Sequence, residues 1–167
     1  SPGGKLTVTI PRNVGQLPCF YNHKPSRFRE YVNSNSDPLF PFGYGLSYTH
    51  FEYKNLFLSR KEIKPSESVM VSVDVTNTGK RAGDEIVQLY IHDLISVPVR
   101  PVMELQDFAR ITLEPGETKT VNFNLTPDKL EAFDLNMKRT VEPGDFAIMV
   151  GKNSREFLSD TLTVLAH

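Results

Sequence analysis

The stretch Ser68–Thr76, SVMVSVDVT, alternates without a break. Val69, Val71, Val73 and Val75 fall on one side, and Ser72, Asp74 and Thr76 on the other. A period of two is that of a β-strand with one face in a core and one in water. Phe51–Leu58 is another candidate strand, and the same alternation marks Thr118–Leu125, where Val121, Phe123 and Leu125 point inward. Glu85–Ile91 is apolar on both faces, which predicts a central strand. Leu105–Leu113, Arg139–Val141, Asp145–Val150 and Phe157–Leu165 (with Leu158, Leu162 and Val164) continue the series. Turn chemistry separates these pieces: Asn77-Thr-Gly79, Glu114-Pro-Gly-Glu117 and Glu142-Pro-Gly144. Such Pro-Gly turns use glycine's access to positive φ at the third position. Thr126–Phe133 is the one helical-looking stretch, with Thr126 as N-cap and Pro127 at the first helical position, and is expected to make a single short turn.

Seven or eight short strands with almost no helix predict an all-β fold. The expected architecture is an antiparallel β-sandwich of immunoglobulin or fibronectin type III kind with an irregular N-terminal extension. The lack of tryptophan and of a cysteine pair argues against the antibody type. Before His50 the texture differs. Leu6–Ile10 alternates, with Leu6, Val8 and Ile10 facing one way, and Leu17–Tyr21 reads as a second extended piece beyond Pro11 and Gly15. Asn22–Asp37 is polar and long, the mark of a functional loop or a linker. Then comes Pro38–Tyr53, PLFPFGYGLSYTHFEY, with six aromatic rings broken by two prolines and two glycines. Its rings suit either stacking on sugars or packing at a junction between domains.

Composition narrows the choice. A formal charge of −1 and a pI near 6.4 provide no basic field for nucleic acid or an anionic membrane. No apolar run approaches the roughly 18 residues of a membrane span. Cys19 is the single cysteine and, beside Leu17 and Phe20, reads as a small packing residue. Ser1-Pro2-Gly3-Gly4 has neither an initiator methionine nor a leader after it, so the sequence is expected to start inside a longer polypeptide, with the compartment left open.

The search for chemistry returns little. Asp74, Asp84, Glu85, Glu114 and Glu117 lie on outward strand positions or beside turns and are expected to be solvated. His23, His50, His92 and His167 have no metal-site spacing, and His92 and Asp93, adjacent on a strand, point to opposite faces. Gly43-Tyr-Gly45 lacks the third glycine of a nucleotide loop, and Leu46-Ser-Tyr48 is no nucleophile elbow. Asn124-Leu-Thr126 is a glycosylation sequon with its Asn outward, relevant only in a secreting eukaryote. No cofactor or metal is indicated.

A resemblance joins these observations. Pro38–Tyr48 with Phe51-Glu-Tyr53 is similar to the segment that leaves the α/β sandwich domain in glycoside hydrolase family 3. Val73–Gly79, Ala82–Tyr90, Arg100–Leu105, Phe108–Glu117 and Val141–Gly144 with Val150-Gly151 continue the likeness, in order, through that family's C-terminal fibronectin type III-like domain. Gly4–Arg12 and Leu17–Pro25 resemble the last strands of the α/β domain, with Cys19-Phe20 departing from the usual pair. The resemblance implies residues 1–48 as tail and crossover linker and residues 49–167 as the fibronectin type III-like domain. It implies a parent that hydrolyses β-glucosides or β-xylosides with retention, periplasmic or secreted. The nucleophile would lie in a barrel and the acid/base in the α/β domain, both outside this sequence, so the chain by itself is expected to be inactive.

The expected partners are the catalytic domains of the same parent. Leu39, Phe40, Phe42, Tyr44 and Tyr48 are the expected interdomain packing residues, while Arg27, Arg29 and Tyr31 are candidates for the rim of the parent's active site, against the alternative of a connector. Two other functions stay open: a carbohydrate-binding module making weak oligosaccharide contact, for which Tyr90 and Phe157 are the available rings, and a protein-interaction module.

Overall fold

The computed structural model describes residues 1–25 and 36–166. Eight-residue and longer strands carry the fold: β1 (Phe51–Leu58), β3 (Val69–Asn77), β4 (Gly83–Asp93), β5 (Glu104–Leu113), β6 (Thr118–Leu125), β9 (Gly144–Gly151) and β10 (Phe157–Val164). Three two-residue strands lie among them: β2 (Glu62–Ile63), β7 (Ala132–Phe133) and β8 (Arg139–Thr140). One sheet has the order β1-β3-β6 and the other β2-β10-β9-β4-β5, with β7-β8 a small ribbon at one end. All pairings are antiparallel except β2 with β10.

The alternating pattern is the cause of this arrangement. Val69, Val71, Val73 and Val75 of β3 are buried with Val121, Phe123 and Leu125 of β6, opposite Val87, Leu89 and Ile91 of β4. Phe146, Ile148, Val150 and Leu162 fill the other half of the core. At the Pro-Gly turn Gly116 has φ +79, the conformation anticipated for it. Asn77 locks the β3 end: its amide donates to the Leu113 and Arg81 carbonyls at 3.0 and 2.8 Å, and its Oδ1 accepts from Thr49 Oγ1 at 2.6 Å.

Three local expectations change. The single helical turn expected within Thr126–Phe133 is α1, Pro127–Leu130, with proline at its start, but Thr126 makes no side-chain cap. Pairing of Ala132 with Thr140 pulls the chain out of helical geometry. Leu6–Ile10 does not join a sheet. It runs beside Leu39–Tyr44, with Leu6 N donating to Tyr44 O and Ile10 N to Phe40 O, and Val8 stays exposed. Glu85 is not solvated but 3 % exposed, because it sits on the inward face of β4, and Tyr90 is fully buried.

Surface carboxylates set the acid response. Asp84 is held below the usual carboxylate range by hydrogen bonds from Arg110 and then Thr112, and Asp74 by Thr120 and then Asn55. A depressed folded-state pKa gives stability that is present above about pH 4, the unfolded value, and is lost as pH falls through the folded one. Asp93 acts in the opposite sense: burial raises it, partly offset by Arg100, so its ionisation opposes folding and acid relieves that cost. We expect Asp84→Asn to lower the melting temperature at pH 7, with the gap to the parent sequence closing below about pH 4. Melting curves for the two proteins that stay parallel across that range would contradict this.

Candidate functional site

The second face of β4 is covered by the N-terminal extension. Phe42 stacks on Tyr21 with centroids 4.1 Å apart and an interplanar angle of 17°, and both rings meet the edge of Tyr90 at 6.5 and 6.1 Å. Met103, Met149, Val102 and Leu105 close this second apolar cluster. A strand apolar on both faces therefore has one face in the sandwich core and the other under this strap.

Polar ties fix the strap in place. Ser154 N donates to Phe42 O at 3.0 Å, and Leu105 N to the Tyr21 hydroxyl at 3.3 Å. Gln88 Nε2 donates to Gly43 O at 3.3 Å and to Lys152 O at 2.6 Å, while the Tyr90 hydroxyl donates to Gln88 Oε1. Burial raises the Tyr90 pKa, which keeps that donor protonated. Gly43 has φ +78, and a Cβ there would stand 2.1 Å from Gln88 Oε1, so the Gln88 contact requires glycine.

A buried ion pair anchors the start of the chain. Lys5 Nζ lies 3.1 Å from both carboxylate oxygens of Glu85, and the Tyr53 hydroxyl donates to Glu85 Oε1 at 2.9 Å. Burial, then the Glu85 charge, pushes the Tyr53 pKa far up. Lys5 and Glu85 border a cleft of about 200 Å³ that Tyr44, Thr49, Asn153 and Glu156 also line. Among the described residues the other buried carboxylate, Asp93, faces Arg100 at 3.4 Å, and Arg100 also donates to Leu130 O at 2.9 Å. Both buried carboxylates are thus engaged by cations, an arrangement that fixes geometry. Glycoside cleavage instead asks for two carboxyl groups facing a substrate across about 5 to 9.5 Å. Among the described residues no cluster of three His, Cys, Asp or Glu is suited to a metal, and no helix is long and apolar enough to cross a membrane.

The five predicted packing residues divide. Phe42 packs against the outer face of β4, at the edge of Tyr90. Tyr44 is half-buried and stacks on Phe40 at 5.0 Å. Leu39 and Tyr48 face outward, 47 and 71 % exposed, and Phe40 is 38 % exposed. Arg27, Arg29 and Tyr31 lie outside the described residues. Tyr21, Gln88, Lys5 and Glu85 were not singled out from the sequence as junction residues. The doubly apolar character of β4 was the available signal for a covering layer.

Comparison with known proteins gives this geometry a setting. Residues 85–154 match the model of the Fibronectin type III-like domain family. A β-xylosidase of Formosa agariphila is 48 % identical over 159 residues, covering 93 % of the chain and 22 % of that protein. A periplasmic β-glucosidase of Salmonella typhimurium is 41 % identical, covering 92 % of the chain and 22 % of the relative. The solved structure of a β-glucosidase from Erythrobacter marinus superimposes with a TM-score of 0.94 at 48 % identity, covering 98 % of the chain and 22 % of that structure. A Listeria innocua β-glucosidase in complex with glucose gives 0.91 at 34 %, covering 99 % and 25 %. The chain therefore spans about a quarter or less of the length of these relatives.

Proposed function

Since this chain is the fibronectin type III-like part of a family 3 glycoside hydrolase, we propose that it is a non-catalytic brace for that enzyme's catalytic domains, and that the parent hydrolyses β-glucosides or β-xylosides with retention. The observation that carries this is the two-sided strap. Its inner side, Phe42 with Tyr21, is packed on Tyr90, while Leu39, Leu46 and Tyr48 project the other way. Residues 1–48 serve as the connection and residues 49–167 as the body it is fixed to. Each outward ring or aliphatic group that finds a partner surface contributes about 1.5–3 kcal/mol, enough for a few to set the orientation of one domain on another.

The relatives carry the names β-xylosidase and β-glucosidase, which supports that pair of substrates for the parent. Sugar binding by the chain itself has weaker support, because Tyr90 is buried and Phe40 and Tyr44 stack on each other. The purified chain is expected to leave aryl β-glucosides and β-xylosides intact, and the parent enzyme lacking residues 49–167 to melt at lower temperature. Hydrolysis by the chain at a rate above contaminants, or an unchanged melting point of the shortened parent, would overturn the proposal.

A further inference from the structure

One end of the sandwich displays apolar side chains that neither the core nor the strap uses. The connection from β4 to β5 exposes Leu94, Ile95, Val97 and Val99, with Ile95 at 85 %. The turn between β7 and β8 exposes Phe133, Leu135 and Met137, the last two at 80 and 76 %. Groups of exposed apolar side chains such as these mark interaction sites on folded proteins.

Both loops are held, so the display is built in. Leu94 N donates to Asp145 O at 3.0 Å, Val97 N to Glu142 Oε2 at 3.3 Å, and Arg100 reaches Leu130 O. In the second loop Asp134 Oδ1 accepts from the amides of Asn136 and Lys138, both at 2.8 Å. Met137 has φ +60, a conformation that favours Gly or Asn, and turns favour polar side chains. Positions that depart from local preference without a gain inside the fold are expected where function requires them.

We propose that this end, formed by the 94–99 loop and the 133–139 hairpin, is a second docking surface for the remainder of the parent polypeptide. The inference rests on the bracing role proposed above. Two observations choose that occupant over a second copy of the chain. The relatives hold about three quarters or more of their length outside the matched region, and a tethered surface is present at an effective concentration that free copies do not reach. The loop is also continuous with the strap: Val102 N donates to His23 O at 2.9 Å and Val102 packs into the Tyr90 cluster. One face of the parent would then meet strap and loop as a single surface.

Hydrogen exchange compared between the parent enzyme and this chain alone tests it. The amides of residues 94–97 and 135–137 are expected to exchange at least tenfold more slowly in the parent, at any concentration. Ile95→Asp with Leu135→Asp should lower the parent's melting temperature and leave that of the chain alone unchanged. Equal exchange at this end, with residues 39–48 still protected in the parent, would overturn the second surface and leave the bracing role standing. Equal exchange at both places would overturn both. Protection in the chain alone that grows with concentration would assign the surface to a second copy and overturn the inference.

Discussion

Phe42→Ala is expected to destabilise the chain by about 3 kcal/mol, at the lower end for a buried aromatic because the ring is half-buried. In a domain of this size that corresponds to a fall of roughly 6 to 12 °C in melting temperature. The substitution removes the ring that stacks on Tyr21 and touches the Tyr90 edge, and it opens a cavity under the strap. The backbone ties from Ser154 to Phe42 O and from Gln88 to Gly43 O do not hold that apolar surface by themselves. Tyr48→Ala is the control. Its ring is exposed, so in the chain alone the change is expected to stay within about 0.5 kcal/mol. Thermal or urea unfolding of the two variants measures the contrast. A melting point for Phe42→Ala equal to that of the unaltered chain would show that the strap is not packed as described.

Lys5→Met is expected to cost about 3 kcal/mol. It leaves Glu85, whose side chain is 4 % exposed, with the Tyr53 hydroxyl but no cation. Removing one partner of a buried pair leaves an uncompensated charge, whereas replacing both by apolar groups of similar volume is often neutral. The double substitution Lys5→Met with Glu85→Met should therefore recover most of the loss, and a double-mutant cycle in urea reads the coupling. If Lys5→Met changed stability by less than about 0.5 kcal/mol, Lys5 would not be compensating Glu85 and the start of the chain would not be pinned there.

These two variants mark where the amino-acid order was legible and where it was not. The valines of β3 and the Val121, Phe123 and Leu125 series of β6 name their own buried faces, because a period of two has one geometric solution. The Pro-Gly turn at Gly116 is equally local. Glu85 misled because it precedes the apolar run and follows a turn, where charge is normally solvated. Only the crossing of the N-terminal segment brings Lys5 to it from 80 positions away. The aromatic segment announced a packing role without its partners. Tyr21 meets Phe42 and Tyr90 from positions well apart in the chain, a pairing that no window of neighbours encodes.

By itself, the sequence determined the long strands of the sandwich, the inward faces of β3 and β6, the Pro-Gly turn at Gly116, and the likeness to family 3 glycoside hydrolases, since these follow from nearest-neighbour geometry or from ordered motifs. The tertiary structure alone decided which side of Pro38–Tyr48 is packed and which is displayed, which carboxylates are buried against cations, and that Ile95, Leu135 and Met137 are left exposed. The physical reason is that burial and charge pairing depend on distances between residues far apart in the chain, which folding sets and local pattern does not record.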